Sequence, residues 1–423
     1  MVNHSNFHGP LTRRNFLKLA SAGACFSLLS PFITRIQATS ATPLYWITDI
    51  PNSPLGGRGN GNSHAGLEYL FHWMGRSGLK LYRSSKETVL SGFNGLIDAA
   101  DVVLIKVNAQ WKYRGCTNSD LIRGLIQRIL DHPDGFRGEV VLFENGSGRG
   151  SLSCDKQAFL YGEDGIHANA NDESHTFLYL VDHVFRDPRV SAYLLDPVRT
   201  VSIPAGDHST QGFRIFENVS YPCFNTAGGR RVELKEGIWN GTGYQQNLKI
   251  INVPVLKHHD EGGSEITASL KHMYGVLSMD DGLVDFRHYR GLGETCGKMM
   301  ASVRAPVLHI LDAIWVSHRS LLGYPADTTF RANQILASQD PVALDYWAAK
   351  HILYPIDRNP RHHPDFPGID RWLTESRDLI NSLGGLNSLD SSLRLHRVTK
   401  AENEMSVLKK KCLGSYNFNF KVS

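Results

Sequence analysis

Apolar runs that end on a charged or amide side chain recur along this chain. Val102-Val103-Leu104-Ile105 is continuous, β-branched and bounded by Asp101 and Asn108, a pattern that predicts a buried strand. Thr117-Asn118-Ser119-Asp120 then offers capping oxygens. Leu121, Leu125, Ile126 and Ile129 follow at helical spacing, and Pro133 closes the segment, so a helix is expected. Residues 138–143 read as a second buried strand. Strand, helix, strand in this order argues for a parallel α/β unit. Further along, 248–256 predicts one more buried strand, 267–276 a helix, and 306–316 a strand with Asp312 inside it. Ile335-Leu336-Ala337-Ser338 leads through Gln339-Asp340 into a helix over 341–352, with Pro341 in its first turn and Asp340 as its cap. A last helix is expected over 369–383.

The middle, 150–243, is less regular. Residues 175–185 have helical character, 213–219 and 230–234 resemble short strands, and the Gly-, Asn- and Asp-rich stretch 161–173 suits an exposed loop. The expected fold is therefore α/β, a mainly parallel sheet flanked by helices, with an irregular α+β insertion or second lobe over 150–245. The α/β domain is expected to span 42–390. Residues 391–423 are polar, and Lys409-Lys410-Lys411 reads as part of a solvated tail.

The start of the chain has a different character. Thr12-Arg13-Arg14-Asn15-Phe16-Leu17-Lys18 precedes a weakly apolar run from Leu19 to Phe32. It resembles a bacterial twin-arginine export signal, with Thr39-Ser40-Ala41 as a small-residue cleavage site. The run is shorter than the roughly 20 residues that span a bilayer, so no stable membrane span is expected. The resemblance implies a signal peptide over 1–41, the twin-arginine translocase as partner during export, and a periplasmic or otherwise exported destination.

Composition narrows the chemistry. A formal charge of +4 over 423 residues is mild, and no basic stripe interleaved with aromatics is present, so nucleic acid is not an expected partner. Cys116, Cys154, Cys223, Cys296 and Cys412 follow the leader. No two have Cys-x-x-Cys spacing, which argues against an iron–sulfur cluster or a structural zinc. A disulfide such as Cys116 to Cys154 is compatible with an oxidising compartment.

In open α/β sheets ligands bind beyond the carboxyl ends of the strands. Three such ends are loaded with polar residues: Lys106-Val107-Asn108, Lys257-His258-His259-Asp260, and Asp312. The second continues through Gly262 and Gly263 into a helix whose start offers unpaired N–H donors, with Thr267, Lys271 and Tyr274 on one face. His258, His259 and His272 with Asp260 could instead hold zinc, iron or nickel, although their spacing matches no standard zinc motif. Glu144 also sits at a strand end. His309 and Asp312, three apart on a strand, face opposite sides, and Asp312 is favoured for the rim. Glu144-Asn145-Gly146-Ser147-Gly148-Arg149-Gly150 lacks the ending of a phosphate-binding loop.

Four blocks carry a family resemblance: Val103-Leu104-Ile105-Lys106-Val107-Asn108, Ile251-Asn252-Val253-Pro254-Val255-Leu256-Lys257-His258, Thr267-Ala268-Ser269-Leu270-Lys271-His272-Met273-Tyr274-Gly275 and Ala337-Ser338-Gln339-Asp340-Pro341-Val342-Ala343-Leu344-Asp345. Together they resemble the domain of unknown function 362 (DUF-362) family, in family order. Val107 stands where the family usually has proline, Ala313 where it has glycine. Trp315-Val316-Ser317-His318-Arg319 replaces its glycine-rich segment. Some relatives carry cysteine-rich iron–sulfur segments that this chain lacks.

Two readings of function follow. In the first, an exported α/β enzyme acts on a small anionic ligand. Lys257, His258 and Asp312 are then the catalytic candidates, and Lys106, Asn108, Lys271 and Tyr274 bind the ligand. His258 is the acid–base group or a metal ligand; no metal is identified by the pattern. In the second, a non-catalytic periplasmic binding or accessory protein uses the same cleft.

Overall fold

Strands without polar alternation must be covered on both faces, and the large sheet of this protein is. The computed structural model describes residues 41–423 except 57–60, 147–149, 156–164, 196–211, 261–263, 279–286, 384–397 and 413–423. The export signal and Gly262-Gly263 thus lie outside the described residues. The sheet contains β1 (Thr42–Thr48), β2 (Val102–Lys106), β3 (Glu139–Glu144), β4 (Val190–Leu194), β5 (Leu248–Asn252), β6 (Val255–His258), β7 (Ile266–Thr267), β8 (Leu308–Ser317), β9 (Thr329–Ser338) and β10 (Met405–Lys411). Its order is β10-β1-β9-β8-β5-β2-β3-β4, with β6 alongside β8 and β7 on β6. Only β9 and β7 run against their neighbours, so the sheet is mainly parallel.

Alternating side chains divide the core in two. Val103, Ile105, Val140, Leu142 and Ile251 pack with Leu67, Leu70 and Phe71 of α1 (Ala65–Arg76) and with Leu121, Leu125 and Ile129 of α2 (Ser119–Leu130). Leu104, Val141, Phe143 and Ile250 face the other way. There they meet α3 (Ser269–His272), α4 (Leu292–Lys298), α5 (Pro341–Ala348) and α6 (Pro367–Leu383). That second face is also covered by a five-stranded antiparallel sheet from Gly212–Phe216 to Tyr244–Gln245, through Phe213, Tyr221 and Phe224.

Caps start the helices where the sequence places them. Asn118 accepts the Leu121 N–H at 3.0 Å and Asp340 the Ala343 N–H at 2.9 Å. Three expectations change. The run 248–256 is two strands, because Pro254 lacks a ladder donor; β5 ends at Asn252, and β6 resumes beside β8. The helix expected over 267–276 is one short α-helical piece, α3, followed by the 3-10 turn Met273–Val276. Lys409, Lys410 and Lys411 lie in β10, an edge strand parallel to β1. Their ammonium groups cover indoles on both sides of the strand, Lys409 over Trp46 at 4.0 Å and Lys410 over Trp73 at 4.2 Å. Lysines on an edge also discourage pairing with a second chain.

Candidate functional site

The carboxyl ends of β2, β3 and β5 bring a row of polar side chains under α3. Lys106 pairs in register with Asn252, and Asn252 with His309, so all three point to the same face. Lys106 is fully buried and donates to Glu144 Oε1 at 2.8 Å and to the Val107 carbonyl at 3.0 Å. Its Nζ also lies 3.3 Å from His272 Nε2. His272 Nδ1 reaches Asn252 Oδ1 at 2.6 Å, and Asn252 Nδ2 meets the Ser269 carbonyl and His309 Nδ1. Burial draws both Lys106 and Glu144 toward their neutral forms, and their mutual attraction opposes it. Gly275 permits this packing: a Cβ there would stand 2.8 Å from Glu144 Oε1 and 3.0 Å from Lys106 Nζ.

Lys257 is set further out because β6 continues past the break at Pro254. Its Nζ donates to the carbonyls of Gly115 at 2.6 Å and Leu321 at 3.1 Å. Burial lowers its proton affinity to a pKa of about 7; Cys116 and Glu144 act against that shift, whereas the charges of Lys271 and Lys106 add to it. Lys257 therefore lies within electrostatic reach of both other lysines. Lys271, on α3, is also lowered by burial, to about 8. It sits 2.9 Å from His288 Nε2 and over the ring of Tyr274. His288 packs beside His259, whose Nδ1 is 2.6 Å from Asp260 Oδ1, and Tyr289 donates its hydroxyl to Asp260 Oδ2 at 3.0 Å. Among the described residues neither Lys257 nor Lys271 forms an ion pair with a carboxylate. Lys106 is the neutralised member of the three.

His258 follows Lys257 on β6, so its side chain leaves by the opposite face. His258 Nδ1 is 3.0 Å from His362 Nε2, and His362 Nδ1 is 3.2 Å from Asp357 Oδ1. His318 Nδ1 approaches the second Asp357 oxygen at 3.3 Å. Burial alone would raise Asp357, but the Asn359 N–H and His362 outweigh it and hold this carboxyl below its ordinary value. An ionised carboxylate only accepts. With the His362 ring neutral, its Nδ1 carries the proton toward Asp357 and its Nε2 accepts from His258 Nδ1, which orients the His258 ring. This is the arrangement of an oriented general base.

The remaining candidates are placed as follows. Asp312 is fully buried and accepts backbone N–H groups from Asn118 at 2.8 Å and Ile314 at 3.0 Å. Burial raises its pKa to about 7. Its side chain meets the start of α2, on the face away from His309. Asn108 binds Thr117 through its backbone, while its Oδ1 is buried without a hydrogen-bond partner among the described residues. His258, His259 and His272 join three separate networks. No group of three His, Cys, Asp or Glu among the described residues is arranged to hold a metal ion. The sequence reading missed Asn252, His288, Asp357 and His362. Asn252 left a signal, an amide inside an apolar run; the others come from distant segments with no spacing that ties them to Lys257.

Residues 234–350 match the family model described as "Domain of unknown function (DUF362)". The match takes in Lys257, His258, Lys271, Tyr274 and Asp312 and three of the four resembling blocks. The block at 103–108 lies outside it, as do Asp357 and His362. No curated protein and no solved structure matches the chain. Among the described residues no helix is long and apolar enough to cross a membrane.

Proposed function

We propose that this chain is an exported enzyme that binds a small anionic ligand at the carboxyl rim of its sheet. Lys257 and Lys271 supply the charge, and His258 moves a proton. The carrying observation is that, among the described residues, neither of two buried lysines forms an ion pair with a carboxylate, Asp260 acting on Lys271 and Glu144 on Lys257 only at longer range, while the third is paired with Glu144. Buried cations are ordinarily compensated, and an anion between them would supply that compensation and raise both proton affinities.

Calorimetric titration of the full chain with inorganic phosphate at neutral pH tests the binding half. Lys257→Ala and Lys271→Ala should each weaken binding about tenfold or more, the equivalent of about 1.4 kcal/mol. Affinity left unchanged by both substitutions overturns the reading.

A second reading, a non-catalytic periplasmic binding or accessory protein, is favoured by one feature: Lys257 and His258 leave β6 on opposite faces, so charge and base do not project together. The two separate on His258→Gln. In an enzyme it abolishes turnover of a bound ligand and spares affinity, whereas in a carrier no bound ligand is altered by either protein.

A further inference from the structure

We propose that Cys116 and Cys154 are an oxidisable dithiol that closes to an intrachain disulfide across the wall of the rim. Both are buried thiols in this structure and share one core with Phe177 and Ala168. Backbone contacts lay their two segments together. Tyr113 N–H donates to the His167 carbonyl at 2.7 Å, and His167 N–H to the Cys154 carbonyl at 3.0 Å. The rings of Tyr113 and His167 stack with centroids 4.3 Å apart. On the other side, Asn169 Nδ2 donates to the Cys116 carbonyl at 2.9 Å, while the Cys116 thiol donates to the Tyr113 carbonyl. Each thiol alters the other's acidity. These contacts place Cys116 and Cys154 on neighbouring segments of one core, the placement a bridge requires.

The pair is chemically unequal. Burial opposes ionisation of Cys116, but the contacts from Cys154 and Asn169 and the nearby Lys257 outweigh it, so its thiol ionises more readily than usual. The hydrogen bond to Cys116, then burial, pushes Cys154 the other way. Lys257, held on the Gly115 carbonyl at 2.6 Å, stands beside Cys116 and favours it as the attacking thiolate, with Cys154 as the resolving thiol. The co-reactant is an external disulfide. Cys116 attacks one of its sulfurs and expels a thiolate; Cys154 then loses its proton, attacks the Cys116 sulfur of the mixed disulfide, and expels the second thiolate. Two electrons pass to the external disulfide, and the two protons from the cysteines end on its thiols or in solvent. Closure ties the loop carrying Gly115, whose carbonyl holds Lys257, to the segment that begins at Leu152.

The full chain is equilibrated with glutathione disulfide, and a second sample is produced in a compartment that forms disulfides, so that oxidant is present as the chain folds. Free thiols are then alkylated and the digests mapped by mass spectrometry. A peptide linked through Cys116 and Cys154 is expected, with Cys223, Cys296 and Cys412 alkylated. The oxidised chain should melt several degrees above the reduced one, because the closed loop restricts the unfolded state, and Cys154→Ser should abolish that difference. The proposal is overturned if both cysteines are alkylated in both samples, or if either pairs with one of the other three.

Discussion

Lys106 and Glu144 show how the site is held at the level of single side chains. Each is buried, and each satisfies what the other would leave charged and alone. Removing one partner of a buried pair strands the other, a loss of about 3–5 kcal/mol. Lys106→Ala should therefore destabilise the chain by that order in urea denaturation, and Lys106→Met with Glu144→Gln together should cost less than the sum of the two single changes. Equal and additive losses would show that the two do not act as a pair. At this scale the sequence was informative where polarity follows an apolar run: Lys106, Glu144, Lys257 and His258 all announce themselves as strand ends. It was silent on charge state. That Lys106 is ion-paired whereas, among the described residues, Lys257 and Lys271 are not depends on Glu144 reaching across from the neighbouring strand, a pairing fixed by register.

The elements matter through two interruptions of regular structure. Pro254 splits one apolar run into β5 and β6, which carries Lys257 and His258 beyond the row formed by Lys106, Asn252 and His309. Gly275 brings the turn after α3 down onto the Lys106–Glu144 pair. Gly275→Ala should thus destabilise by about 1–3 kcal/mol, because neither partner can yield without losing a hydrogen bond; a neutral effect in the same denaturation assay would contradict this packing. The sequence resolved the strands 102–106 and 139–144 and the helix at 119–130 because their periods are long and unbroken. It misread 267–276 because a strand end, four α-helical residues and a 3-10 turn together mimic one helix in their spacing. The His258–His362–Asp357–His318 chain was not legible at all, since its members lie on β6, directly after β8 and in the segment after α5, and only packing brings them together.

For the whole molecule, the two lysines give stability a distinctive pH dependence. Folded Lys257 and Lys271 lose their protons near pH 7 and 8, whereas the unfolded chain holds them up to about 10.5. Between those limits the unfolded state binds more protons, so stability rises with pH. Below about pH 7 both states are charged and this contribution is constant. The gain from pH 7 to about pH 9.5 should be on the order of 5 kcal/mol, roughly 3 from Lys257 and roughly 2 from Lys271, and Lys257→Met with Lys271→Met should remove most of it in chemical denaturation. Stability that falls over this interval would contradict the burial of these groups. The proposed export is tested separately from the folded core. Arg13→Lys with Arg14→Lys should leave the protein in the cytoplasm by cell fractionation, and unchanged export would refute the twin-arginine reading. The α/β class was legible from the order of elements, whereas β10 was not, because a lysine-rich edge strand has the composition of a tail.

The most direct test follows the lysine side chains through a pH titration by nuclear magnetic resonance, with and without inorganic phosphate. Two resonances should titrate near 7 and 8, vanish one each in Lys257→Ala and Lys271→Ala, and move upward when phosphate is added. If every lysine titrates near its ordinary value and phosphate changes nothing, the rim holds no uncompensated charge and the proposed site falls.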